Sequence, residues 1–213
     1  MSGQADDAPQ SLAAIVAGTL ADYETRAQLF WEGTRDHDVS QNLDALLGAI
    51  EGTPPFTVLD FGCGPGRDLR ALRARGHDPI GLDGTPRFVA MAREFSGCEV
   101  WQQDFLSLAL PEARFDGIFA NATLQHVPSA ALPRVLGELR AALKPRGVLF
   151  ASIPHGHGEE GWNRGRYSVY HEPAAWYRHL EAAGLALVDH YYRPAGLPRA
   201  SQPWLATVSR NAG

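Results

Sequence analysis

Lysine is almost missing from this sequence. Lys144 is the sole lysine among 19 basic residues, which face 24 acidic ones for a net charge of −5. That balance lacks the basic footprint of a nucleic-acid binder, and no nucleic-acid partner is predicted. Cysteine is scarce as well. Cys63 and Cys98 stand far apart, which argues against a disulfide framework or a zinc site. No apolar run reaches membrane-spanning length, so no membrane partner is expected. Asp6 and Asp7, with no basic cluster beside them, precede the apolar stretch from Leu12 to Leu20, which does not match a signal peptide. A reducing cytoplasm is the simplest location. With 213 residues, 45% hydrophobic and 20% charged, one domain with a sizeable core is the expectation.

Glycine, by contrast, is concentrated where it counts. The stretch Thr57-Val58-Leu59-Asp60-Phe61-Gly62-Cys63-Gly64-Pro65-Gly66-Arg67-Asp68 opens on an apolar run that reads as a buried strand. An acid follows, then three glycines in five positions, then a helical pattern. Glycines allow a tight turn and let a ligand approach the backbone. The helix beginning near Arg67 points free amides at that ligand. A glycine turn could merely join strand to helix. Here it is followed by a second strand, Pro79 to Asp83, whose terminal acid lies 17 residues after Gly66, the context of a nucleotide site. The third glycine comes one place too early for the nicotinamide pattern G-x-G-x-x-G, and Arg67 takes the sixth position.

The order D-x-G-x-G-x-G from Asp60 to Gly66 resembles motif I of the class I S-adenosylmethionine (SAM) methyltransferases of the small-molecule type. The likeness extends over roughly Thr57 to Pro154 and includes Leu143-Lys144-Pro145-Arg146-Gly147 before the fifth strand. It implies an α/β fold: a doubly wound, Rossmann-like seven-stranded sheet, mostly parallel, with an antiparallel C-terminal edge hairpin and helices on both faces. It also implies the site. Asp60 would hold the methionyl ammonium, with Gly62, Cys63 and Gly64 along that chain. Asp83 and Gly84 would take the ribose, and Asp104 and Phe105 the adenine. Asn121 and Ala122 would flank the methionine part, and Tyr23, in a Tyr-x-x-x-Ala helix, would close a lid. The cofactor implied is SAM, released as S-adenosyl-L-homocysteine (SAH).

Residues 1–10 are expected to be flexible. Residues 11–50 read as a helical cap, in which Gly18 could split one helix in two, and Asp38 or Ser40 could cap the helix from Asn42 to Ile50. Residues 55–153 form the cofactor-binding core. Residues 154–172 read as a long acceptor-side loop, and residues 173–213 as a helix opened by Pro173 followed by an edge hairpin. The polar stretch Gly33 to Asn42 could be loop or site wall.

Methyl transfer by in-line displacement asks the protein mainly to align donor and acceptor and exclude water. The acceptor wall would draw on Trp31, Arg35, His37, Gln125, His126, His155, Trp162, Arg164, Arg166 and Tyr167. Arg164 and Arg166 point to a carboxylate-bearing small molecule. A base is needed only if the acceptor N, O or S keeps its proton; His126, His37 and Tyr167 are the candidates. His155 and His157 lack a third ligand in register, so no metal is expected. The expected assembly is a monomer or homodimer. The alternatives are a catalytically silent SAM-binding subunit supporting a partner protein and, on weaker ground, a nicotinamide oxidoreductase.

Overall fold

β1 (Thr57–Phe61) is covered on both faces: Val58, Leu59 and Phe61 are fully buried, as a central parallel strand must be. In the computed structural model, which describes residues 10–213, β1 lies between β2 (Asp78–Asp83) and β4 (Phe115–Asn121), parallel to both. The stretch 1–9, expected to be flexible, lies outside the described residues. β3 (Glu99–Gln102) flanks β2, and β5 (Leu143–Pro154) flanks β4, again in parallel. Beyond β5 the direction reverses: β9 (Trp204–Asn211) and β8 (Leu185–Arg193) run antiparallel, giving the order β3-β2-β1-β4-β5-β9-β8. The sheet therefore has the expected seven strands, with the expected antiparallel edge.

Side chains alternate across the strands. Leu59, Ile118 and Leu149 face one side, under α5 (Leu132–Ala142) and α6 (Pro173–Ala182), where Leu136, Leu139 and Trp176 complete the main core. Val58, Phe119 and Phe150 face the other, under α2 (Ser40–Ala49) through Leu43 and Leu46. α3 (Arg67–Ala74) and α4 (Pro86–Ser96) finish that side around Leu69, Val89 and Ala92. The strand order switches between β1 and β4, which places a crevice at their carboxyl ends.

Two expectations need correction. α1 (Leu12–Thr34) does not split at Gly18; its non-helical residue is Arg26. Gly18 instead lets Trp162 pack on the helix, since a Cβ there would lie 2.5 Å from the indole Cη2. The stretch 154–172 is also not an irregular loop. It folds as a hairpin, β6 (Glu159–Asn163) and β7 (Arg166–Tyr170), with Trp162 opposite Tyr167. Arg164 and Gly165 at its tip both have positive φ, 51° and 90°, as a two-residue turn between twisted strands requires. Dense glycine and charge hid the alternation.

At the end of the glycine turn, Gly66 has φ 93°, and a Cβ on it would stand 2.8 Å from the Ala92 Cα of α4. Gly66→Ala is expected to lower unfolding free energy by about 1–3 kcal/mol. Gly137→Ala, in α5 with nothing within 4 Å of the new methyl, should raise it by about 0.5–1 kcal/mol. Urea denaturation of both variants checks the pair.

Candidate active site

The carboxyl ends of β1, β2, β4 and β5 share one edge with the start of β9 and the end of β8, because Trp204 pairs with both Pro154 and Arg193. A cavity of about 910 Å³ opens there, near the top of the ~300–1,000 Å³ range of ligand pockets. α1, α2 and the β6–β7 hairpin wall it in.

The glycine turn forms the floor. The amides of Gly62 and Cys63 donate to Leu82 O at 2.7 and 3.0 Å, folding the turn against β2. A side chain on Gly62, at φ 76°, would overlap Thr123. Asp83 bridges the turn to the start of α4: one oxygen accepts from Gly64 N at 2.9 Å, the other from Thr85 N at 2.8 Å. Burial pushes its carboxyl up, and the amide bonds hold it partly down.

Asp60 is more exposed to cost. It is 2% accessible, and its Oδ2 has no partner. Burial first, and the neighbouring Asp68 second, push its carboxyl well above the usual carboxylate range, against the pull of Arg67. Arg67 itself is held by Asp68 through Nε and Nη2 at 2.6 and 2.9 Å, and donates to Thr34 O at 2.8 Å. Asn121 donates to Asp68 at 3.3 Å and accepts from Asn42 at 3.0 Å. This chain ties α1, α2, α3 and β4 together around the floor. Asn42 and Asp68 were not singled out from the sequence; an acid two places after the last glycine was the available signal.

On the opposite wall, Tyr23 packs among Phe30, Phe88 and His126 at ring separations of 5.4–5.5 Å. Its hydroxyl donates to His126 Nε2 at 2.9 Å and accepts from Arg166 Nη1 at 3.2 Å. Nδ1 of His126 lies 2.7 Å from Tyr167 O. A carbonyl only accepts, so Nδ1 carries the hydrogen and Nε2 receives the Tyr23 proton bond. Burial pushes the imidazole down to about 4, leaving it neutral with both nitrogens engaged. That arrangement suits an anchor between α1 and β7 rather than the base that the sequence suggested.

The cavity brings together Trp31, His37, Gly84, Phe105, Ala122, Gln125 and Arg164 with these residues. Phe105 stacks on Phe61 at 4.6 Å. Other candidates lie outside it. Asp104 spends Oδ1 on the Leu106 amide at 2.7 Å. The Tyr167 phenol donates to Glu160 at 3.0 Å, and Trp162 donates to Gln10 at 2.8 Å, both on the outer face. His155 is occupied by Gln202 O at 2.9 Å and by Arg199, while Arg35 pairs with Asp36. Arg166 reaches the cavity but is committed to Asp22 at 3.5 Å and to Tyr23. Arg193, Pro203 and Trp204 line the cavity without having been foreseen; an antiparallel hairpin necessarily returns its open end to the edge where β5 stops. Among the described residues, no three His, Cys, Asp or Glu side chains cluster as metal ligands, and no helix is long and apolar enough to cross a membrane.

A methyltransferase domain model matches residues 58–147. The chain is 34% identical over 116 residues to trans-aconitate 2-methyltransferase of Azoarcus sp. (strain BH72), covering 54% of this chain and 45% of that protein. It is 34% identical over 129 residues to malonyl-[acyl-carrier protein] O-methyltransferase of Pectobacterium atrosepticum, covering 58% and 49%. The chain thus spans about half the length of these curated relatives. Among solved structures, 1,6-didemethyltoxoflavin-N1-methyltransferase of Burkholderia thailandensis, with 1,6-didemethyltoxoflavin and SAH bound, matches at TM-score 0.78 and 24% identity. The match covers 98% of this chain and 94% of that one; at that identity it is a likeness of fold.

The His126 geometry has a thermodynamic consequence. Its folded pKa, about 4, lies below the unfolded value near 6.5, so the unfolded chain binds the extra proton between those values and stability falls as pH drops. His126→Gln removes that dependence. The stability advantage of wild type over His126→Gln should shrink by about 2 kcal/mol between pH 7 and pH 5, as urea unfolding at the two pH values would show.

Proposed function

We propose, from the premise that this chain belongs to the class I SAM-dependent methyltransferases, that it methylates a small, carboxylate-bearing acceptor. The carrying observation is the unpartnered Asp60 Oδ2, a buried acceptor near the end of β1, just before the glycine turn that lines the cavity. An acid held there without a donor fits a cationic ligand, and the ammonium of SAM is such a group. Asp60 would hold it, and Asp83, whose oxygens keep further lone pairs beyond their two amide bonds, would accept from the ribose hydroxyls. Gly62 and Gly64 leave the backbone open along the methionyl chain. Phe105, braced on Phe61, would pack against the adenine.

SAM, when bound, supplies a methyl on a sulfonium; the new bond to the acceptor forms as the carbon–sulfur bond breaks and its electron pair leaves with a neutral thioether. The protein's share is alignment and exclusion of water. Tyr23, anchored by His126 and Arg166, fixes α1 across the cavity to that end. His126, neutral and doubly bonded, takes no proton. This favours an acceptor already ionised at neutral pH, and a carboxylate is one. The names of the trans-aconitate and malonyl-[acyl-carrier protein] relatives support the same class. Arg164, at the hairpin tip facing the cavity, would attract it, whereas Arg166 is spent on Asp22 and Tyr23.

Asp60→Asn keeps the shape and removes the charge. Calorimetry should show SAM binding about 10- to 100-fold weaker, with NAD unbound by either protein; unchanged SAM affinity would dismiss Asp60 as the ammonium site. Arg164→Ala should raise acceptor KM about 10-fold with kcat little changed, read with isotopically labelled SAM and the acceptor that gains a methyl in a metabolite extract.

A further inference from the structure

We infer that the acceptor carries at least two anionic groups and that Arg193 binds the one that does not react; this rests on the methyl-transfer reading above. The charged side chains facing the cavity mostly cancel. Arg67 is paired with Asp68, and Arg166 shares Asp22 with Arg26. Among the other charged side chains lining the cavity, Asp38 and Asp83 are acids without an ion pair among the described residues, and Arg164 and Arg193 are cations without one; Asp60, buried just before the glycine turn, is a further unpaired acid. Arg193 donates to the main-chain oxygen of Asp38 at 3.2 Å and, among the described residues, has no carboxylate at ion-pair distance. The Asp38 carboxylate feels Arg193, but it is exposed and caps the Ser40 amide at 2.9 Å instead.

Exposed Asp38 apart, the leftover charges are segregated. Asp83 ends β2 and Arg193 ends β8, at the same edge of the sheet, with β1, β4, β5 and β9 between them. Five strand spacings put the two ends about 24 Å apart. The acidic end suits the cationic donor. The basic end, walled by Trp204 where it pairs with Arg193 and Pro154, suits an anionic acceptor.

Why a second anion? A guanidinium clasping the reacting oxygen would engage its lone pairs and weaken it as a nucleophile. Arg193 also lies two strands, about 10 Å, beyond the end of β5. A carboxylate several bonds away from the reacting one meets both conditions. The acceptor class is therefore a di- or tricarboxylate, or a carboxylate with another fixed anion.

The test is calorimetric and needs no turnover. SAH is titrated first, into wild type, Arg193→Gln and Arg193→Lys. Crotonate, fumarate and citrate are then titrated into each SAH-saturated protein. Expected for wild type is a preference of at least about tenfold for fumarate or citrate over crotonate. Arg193→Gln should abolish that preference and leave SAH affinity within about twofold; Arg193→Lys, which keeps the charge and the fold contact, should retain part of it. No preference in wild type, or a preference that survives in Arg193→Gln, overturns the inference. A loss of SAH affinity in both variants also overturns it, because Arg193 would then be supporting the fold. Failure of wild type to bind SAH at all overturns the methyltransferase reading itself, a distinguishable result.

Discussion

Asp60 sets the problem that the rest of the cavity answers. A carboxyl oxygen buried without a donor costs about 1–3 kcal/mol, and Asp68 close by makes ionisation harder still. An asparagine or leucine would be easier to bury. The strain is held in place because β1 is buried on both faces and cannot move its end toward solvent. Arg67 offsets part of the charge while remaining bound to Asp68, so it cannot swing over to satisfy Asp60. The cation of the proposed function would offset that cost.

The wall opposite works by the contrary device, with the Tyr23 hydroxyl and both His126 ring nitrogens engaged. Tyr23, His126 and Arg166 satisfy one another, and the Tyr167 amide donates to Thr19 at 3.0 Å. α1 and the β6–β7 hairpin are thereby joined over the crevice, with Trp162 packed on Gly18 from outside. A neutral imidazole is what makes the joint possible: once protonated, its Nε2 could no longer accept the Tyr23 hydroxyl. His126 and Tyr167, which looked like catalytic groups in the sequence, are bonded to neighbouring groups instead, and the charges proposed to bind the acceptor sit elsewhere, on Arg164 and Arg193.

Much of this was legible in the residues. Three glycines between a buried strand and a helix, with acids ending the first two strands, identify a nucleotide-type crevice, and the missing sixth-position glycine separates it from nicotinamide sites. Arg67 at that position is explained by its fork onto Asp68. The parallel core and the antiparallel edge were implied by the family resemblance, while the individual strands and helices followed from apolar periodicity and from Gly and Pro punctuation. The β6–β7 hairpin did not, because its pairing is set by a two-residue turn at Arg164-Gly165 and by contact with α1, which local composition does not reveal.

The sequence by itself determined the glycine turn and the buried strands, since steric limits on φ and the burial of apolar side chains act over a few neighbouring residues. It thereby determined Asp60 and Asp83 as acids at strand ends. Only the tertiary structure decided which polar side chains remain free. Arg166 and His126 are occupied by partners 143 and 41 residues distant. Arg193 is brought to the cavity by an antiparallel return. Whether a charge is available depends on such long-range pairing, and pairing is fixed by packing rather than by the order of residues along the chain.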